Sequence, residues 1–263
     1  MQHPLSAMVP MSQSSSPKTI LITGASSGIG EALARLYAMP GTVLALHGRS
    51  ADRLAVVASA CRDNGAEALV ASIDVTDGKA MAAWIEDVDR AHPLDLVIAN
   101  AGVSGSNDQD PNPVQTLFRV NVEGVLNTVQ PVIPLMTERR SGHLALMSSL
   151  AGFRGLPTGP GYAASKAAVR SYGEGLRGAL MSDGVAVSVI CPGFVHTPMT
   201  AENQFPMPLV MDAERAAVII QRGLAKKAAR IAFPLRIYLA IRLLAALPQA
   251  WTDPWLQGHP SKE

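Results

Sequence analysis

A short apolar run, Thr19-Ile20-Leu21-Ile22, breaks into Thr23-Gly24-Ala25-Ser26-Ser27-Gly28-Ile29-Gly30 and then into a helical pattern. Few folds accept that order. The run is compact and apolar, as expected of a strand buried on both faces. Beyond the turn, Ile29, Leu33, Leu36 and Tyr37 recur at helical spacing over residues 29–38, until Pro40-Gly41 stops them. A helix that starts there aims unpaired N–H groups and a partial positive charge at any anion seated on the turn. Gly24 permits the tight turn, Gly28 lets backbone amides approach a pyrophosphate, and Gly30 lets the helix pack on the sheet. Ser26, Ser27 and Ile29 complete the same cradle.

The alternation continues downstream. Strands are predicted over 42–47, 66–72, 94–99, 143–147 and 185–190, with helices over 51–64, 78–91, 114–139 and 161–181. The helix over 114–139 should break or bend near Pro131 and Pro134. Repeated β-then-α order implies parallel strands, right-handed crossovers and helices on both faces of one sheet. With 263 residues and 48% hydrophobic content, the chain can fill the core of one such α/β domain, assigned to residues 18–233.

Ligands in such sheets gather at the carboxyl ends of the strands. The second predicted strand ends in His47-Gly48-Arg49-Ser50, with no carboxylate to hold a ribose diol. An arginine there can pair with a 2′-phosphate through charge-assisted hydrogen bonds, so Arg49 predicts NADP(H) over NAD(H). Asp74 and Val75 follow the third strand and are placed to seat an adenine edge, although a turn-forming role for Asp74 competes. Asn100-Ala101-Gly102 follows the fourth, where small residues let the backbone run close to a ribose and the asparagine can bridge neighbouring loops.

Tyr162 and Lys166 stand one helical turn apart and share a helix face. A phenol ionises near pH ~10, too high for a base at neutral pH, and a neighbouring ammonium favours the phenolate. Lys166 is also long enough to bind ribose hydroxyls. Spacing alone is weak, but the strand over 143–147 ends at Ser148-Ser149, just upstream. Ser149, nearer the loop, is the residue to hydrogen-bond a substrate oxygen on which charge develops. Ser148 is expected to satisfy local backbone groups, and His143, at the far end of its strand, to be structural.

From Lys18 to about Phe233 the chain resembles the short-chain dehydrogenase/reductase family. The likeness is carried by TGASSGIG, Asn100-Ala101-Gly102, Asn121, the Ser149/Tyr162/Lys166 set and Pro192-Gly193. It implies a Rossmann-type, doubly wound sheet of about seven strands, homodimers or homotetramers, and hydride exchange between a nicotinamide and a carbonyl or alcohol carbon. Asn121 would then complete the catalytic set by holding a water behind Lys166; from the residues alone it reads as support for a helix kink. Pro192, Gly193, Val195 and Thr197 match the family loop that contacts the nicotinamide. Gly48 before Arg49 agrees with NADPH-preferring members, whereas Ser27 lacks the basic residue many of them carry in the turn. The competing classes are a nucleotide-binding regulator or scaffold of the same fold, and an isomerase or lyase with tightly held nicotinamide.

The remaining features narrow the setting. A formal net charge of +1 offers no basic field for nucleic acid. Cys61 and Cys191 have neither disulfide nor metal-ligand spacing, so no metal is expected, Cys191 reads as a buried small hydrophobe, and a reducing cytoplasmic setting fits. Residues 1–17, rich in Ser, Pro and Met, read as disordered, and Met8 or Met11 is an alternative start. Phe205, Pro206, Met207, Pro208, Leu209 and Val210, within 201–211, are placed to close over a substrate with a hydrophobic portion, with a packed surface loop as the competing reading. Residues 231–233 read as the last strand. A helix over 235–247 opens a C-terminal extension, 234–263, that packs on the domain or a partner subunit, or lies in a membrane interface with Trp251 and Trp255 nearby.

Overall fold

The computed structural model describes residues 16–105, 110–155, 157, 159–201 and 206–256. The expectations for residues 1–15, Phe205 and residues 257–263 lie outside the described residues, as does the side chain of Trp255.

The first half runs β1 (Thr19–Thr23), α1 (Gly28–Tyr37), β2 (Val43–His47), α2 (Ala51–Asp63), β3 (Glu67–Ala71), α3 (Gly78–Ala91) and β4 (Leu96–Ala99). It continues through α4 (Pro113–Phe118), α5 (Gly124–Val129), α6 (Val132–Glu138), β5 (Gly142–Met147), α7 (Pro160–Leu180) and β6 (Val185–Pro192). After these come β7 (Val195–His196), α8 (Pro198–Ala201), β8 (Met211–Asp212), α9 (Ala213–Ala225), β9 (Arg230–Phe233), α10 (Leu235–Ala246) and α11 (Gln249–Leu256).

Seven strands form one sheet in the order β3-β2-β1-β4-β5-β6-β9, and every pairing is parallel. Strand order reverses between β1 and β4, where Ile20 pairs with Leu44 on one side and Leu96 on the other. The chain is a Rossmann-type fold. Apolar strand residues point alternately to two cores. Ile20, Ile22, Leu44 and Leu46 pack with α1, α2 and α9, while Leu21, Val97, Leu144 and Leu146 pack with the helices opposite.

Besides helices α8 and α9, which have no counterpart in the sequence reading, three local features depart from it. The helix expected over 114–139 breaks at Pro131 as anticipated, but it is also interrupted by a π-turn, Arg119–Glu123, centred on Asn121. A buried asparagine reaching out of the helix holds that insertion open. Helix α11 was not anticipated, because Pro248 reads as a stop. Its Thr252 is buried and accepts a hydrogen bond from Arg154 Nη2 at 2.8 Å, a support far away in sequence. The third is the β7–β8 ladder, too short for periodicity to reveal; with the Met211 N–H donating to the Phe194 carbonyl, it draws the end of the 201–211 segment beside Val195.

His143 is buried at the start of β5, its ring Nε2 2.8 Å from Ser188 Oγ, as a structural histidine should be. The inner face of α10 covers the short 3₁₀ turn Leu150–Phe153, but no residue of the helix is fully buried. Internal packing therefore accounts for only one side of this extension.

Candidate active site

Backbone conformations that suit glycine shape the floor of a cleft at the carboxyl edge of the sheet. Gly24 has φ +67° and Gly28 φ +57°, a region that L side chains rarely adopt. A Cβ on Gly24 would lie 2.9 Å from Ala101 Cα, and one on Gly28 would lie 2.8 Å from Thr197 Cγ2. Gly30 works a layer below: a Cβ there would meet the Gly24 carbonyl oxygen at 2.2 Å. Ser27 caps α1 without using its side chain on the helix amides. Asn100 bridges the loops as expected, donating from Nδ2 to the Thr23 carbonyl at 2.9 Å. Thr23 Oγ1 returns the support, accepting from the Asn100 and Ala101 N–H groups at 3.0 and 3.1 Å.

At one end of the cleft stand Arg49, Arg53, Asp74 and Val75. Asp74 Oδ1 accepts from the N–H and hydroxyl of Thr76, both at 2.9 Å, so the competing turn-forming role is realised. Those bonds, with Arg49 and Arg119 nearby, outweigh burial and hold the carboxyl below its ordinary range. Arg53 was missed by the sequence reading, although it lies one helical turn after Arg49.

Ser149, Tyr162 and Lys166 converge at the other end. Ser149 ends the β5 connection, accepts from the Ala151 N–H at 3.1 Å, and shares a hydrogen bond with the Tyr162 phenol. Ser148 turns away and donates to the Lys166 carbonyl at 2.7 Å, the local role anticipated for it. Lys166, buried, donates from Nζ to the Met147 carbonyl at 3.0 Å and stands 5.8 Å from the centroid of the half-buried Tyr162 ring.

The expected electrostatics need correcting here. Burial pushes the Tyr162 phenol above its ordinary value, the Ser149 hydrogen bond opposing it, rather than Lys166 drawing it down. Lys166 is itself the displaced base: burial lowers its ammonium to about 8. At that value the amine changes charge near neutral pH, as a proton-handling group needs.

Asn121 does not line the cleft. Behind Lys166, its Oδ1 accepts from the Val103 N–H at 2.8 Å, and its Nδ2 donates to the Val103 carbonyl at 2.9 Å and Ser165 Oγ at 3.0 Å. Gly102 fits against this pair, since a Cβ there would sit 2.9 Å from Asn121 Oδ1 and 3.3 Å from Lys166 Nζ. Pro192, Gly193, Val195 and Thr197 line the same cleft; Thr197 and Thr200 hydroxyls meet at 3.3 Å. Of the catalytic and cofactor-binding residues expected from sequence, all but Gly30 and Asn121 line this one cleft, whereas Pro206 to Val210, expected to close over substrate, do not line it.

The donor set fits a dinucleotide. Side-chain-free positions at Gly24, Gly28 and Gly102 leave the approach open, a helix amino terminus and two guanidinium groups suit phosphates, and Lys166 suits ribose hydroxyls.

Comparison with known proteins agrees. The family model described as short chain dehydrogenase matches residues 18–206. An uncharacterized oxidoreductase of Myxococcus xanthus (strain DK1622) is 38% identical over 240 residues, covering 90% of this chain and 95% of its own. A solved short-chain dehydrogenase from Sphingobium yanoikuyae in complex with NADPH superposes with a TM-score of 0.76 at 26% identity, covering 93% of this chain and 98% of that one. A short-chain dehydrogenase/reductase from Burkholderia phymatum in complex with NAD gives a TM-score of 0.79 at 27% identity, covering 94% and 97%.

Proposed function

The chain belongs to the short-chain dehydrogenase/reductase family and is an NAD(P)-dependent oxidoreductase, and from that premise we propose that it interconverts a carbonyl and a primary or secondary alcohol, with NADP(H) as its preferred cofactor. The observation that carries this reading is the meeting of Ser149, Tyr162 and Lys166 in the cleft that the glycine turn floors.

When bound, the nicotinamide supplies or accepts the hydride. The chain's own residues manage the oxygen and its proton. Ser149, positioned by the Ala151 N–H, hydrogen-bonds the substrate oxygen and stabilises the charge that develops there. Tyr162 gives its phenolic proton to that oxygen in reduction and takes it back in oxidation. Lys166, with an ammonium near 8, restores the proton to Tyr162 and holds the ribose. Asn121 fixes the wall behind Lys166 through Val103 and Ser165. Gly24, Ser26, Ser27, Gly28 and Ile29 receive the pyrophosphate, and Asp74 and Val75 the adenine.

NADP(H) preference is supported by Arg49 and Arg53, exposed at the end of β2 and the start of α2 with no carboxylate between β2 and Arg49. The substrate has an apolar portion, which Met199 and Pro198 at the cleft wall would face. Buried, free Cys61 and Cys191 suit a reducing, cytoplasmic setting, and membership of the family suits a homo-oligomer.

The test is NADPH consumption, followed by absorbance, across ketones, aldehydes and quinones of graded hydrophobicity, with Tyr162→Phe in parallel. Turnover by the native chain and none by the variant, with NADPH binding retained in both, is the expected result. Binding without consumption on every compound would mark a regulator instead.

A further inference from the structure

The fold does not use all the apolar surface of α10. Ile237, Tyr238 and Ile241 turn inward onto Leu150, Phe153, Val189 and Cys191. On the opposite side Leu235, Leu239 and Leu243 recur every fourth residue and remain 63%, 57% and 66% exposed. One exposed leucine is unremarkable on a protein surface, but a row of three along one helix face is a patch. Trp251, on the following helix, is 68% exposed.

Charge around the patch is one-sided. At roughly 100° per residue, Arg236 falls on one flank of the leucine row and Arg242 on the other, and both are exposed. Residues 234–252 contain no Asp or Glu. Two acids beside this extension already have partners: Glu174 pairs with Arg170 and Arg230, and Asp253 with Arg154.

We propose that this face docks on an anionic lipid surface, with α10 lying in the plane of the interface. The leucines enter the boundary between headgroups and acyl chains, and the Arg236 guanidinium reaches the lipid phosphates, while Arg242, whose guanidinium lies 5.9 Å from the Phe153 ring, adds positive charge at the other flank. The helix lies on the bilayer and does not cross it. Its twelve residues span about 18 Å against a hydrocarbon core of about 30 Å, and no helix among the described residues is long and apolar enough to cross a membrane. A second copy of the chain is the poorer occupant. A two-fold contact sets the patch against itself, so Arg236 and Arg242 would meet like charge, and residues 234–252 bring no carboxylate to neutralise it. Headgroup phosphates supply the missing charge.

Docking is independent of the reaction proposed above, and its test needs no substrate. The full chain is cosedimented with vesicles of phosphatidylcholine alone and of phosphatidylcholine with phosphatidylglycerol, at low and high salt, beside Leu239→Glu, Leu243→Glu and Arg236→Glu. Far-UV circular dichroism confirms that each variant is folded. Expected are binding to the anionic vesicles only, weakening with salt, a loss of more than about tenfold for each leucine variant, and roughly fivefold or more for Arg236→Glu. The idea is overturned if the native chain ignores anionic vesicles or if all three variants bind like it. It is equally overturned if light scattering shows an oligomer that Leu239→Glu dissociates in the absence of any vesicle binding.

Discussion

Asn121 donates from Nδ2 to Ser165 Oγ at 3.0 Å, which ties the π-turn Arg119–Glu123 to the helix bearing Tyr162 and Lys166. The same side chain satisfies both the N–H and the carbonyl of Val103. Asn121→Ala leaves those backbone groups without their partner. A loss of about 2–4 kcal/mol is expected from the urea midpoint, together with a fall in kcat. An unchanged midpoint would show that the π-turn stands without this anchor.

Lys166 predicts a conflict between stability and activity. Its ammonium, lowered by burial to about 8 from 10.5, binds fewer protons folded than unfolded between those values. Stability therefore rises with pH through that window, and the whole burden, roughly 3 kcal/mol before offsets, is present below pH 8. Lys166→Met removes it but strands the Met147 carbonyl. The variant should be inactive yet about 1–3 kcal/mol more stable at pH 7, with the advantage shrinking toward pH ~10.5. Urea titrations at both pH values decide the matter, and a variant weaker at neutral pH refutes it.

An acid limb should come from His143. Burial, with Lys227 and Arg177 nearby, lowers its ring to about 4 from 6.5. Between those values the unfolded chain takes up a proton that the folded chain refuses, so stability falls as pH falls through the window, by roughly 3 kcal/mol in full. His143→Gln should flatten that limb relative to the native chain in thermal melts from pH 7 to 4. Parallel curves would assign the acid sensitivity elsewhere.

Arg49 sets the expected cofactor preference. Arg49→Ala should raise KM for NADPH about tenfold, the loss of one charge-assisted contact, while KM for NADH changes little. If both cofactors lose equally, the guanidinium does not read the 2′-phosphate.

Much of this molecule was legible in its sequence because the signals are local. Glycine sterics at Gly24 and Gly28, apolar runs in β1 and β4, and the Tyr162/Lys166 spacing each need only neighbouring residues. What escaped depends on distant partners. The π-turn at Asn121 requires Val103 and Ser165, and α11 persists because Arg154 meets Thr252. Arg53 carries no signal of its own until α2 sets it beside Arg49. Apolarity over 235–247 was plain, yet only packing reveals which side stays uncovered. The order of pKa influences at Tyr162 was hidden for the same reason, since burial is a property of the assembled site.

Phe153, four residues after Ser149, is ringed by the guanidinium groups of Arg170, Arg230 and Arg242 at 4.7, 5.3 and 5.9 Å. Its neighbour Arg154 is tethered to Thr252, ninety-eight residues onward. A nascent chain can thus fold its nucleotide cradle well before this serine loop has its clamp. A premature stop after β9 would release a product that keeps the residues of the cleft but leaves its serine loop unbraced, whereas damage near residue 250 would strike turnover from ninety-eight residues beyond Arg154.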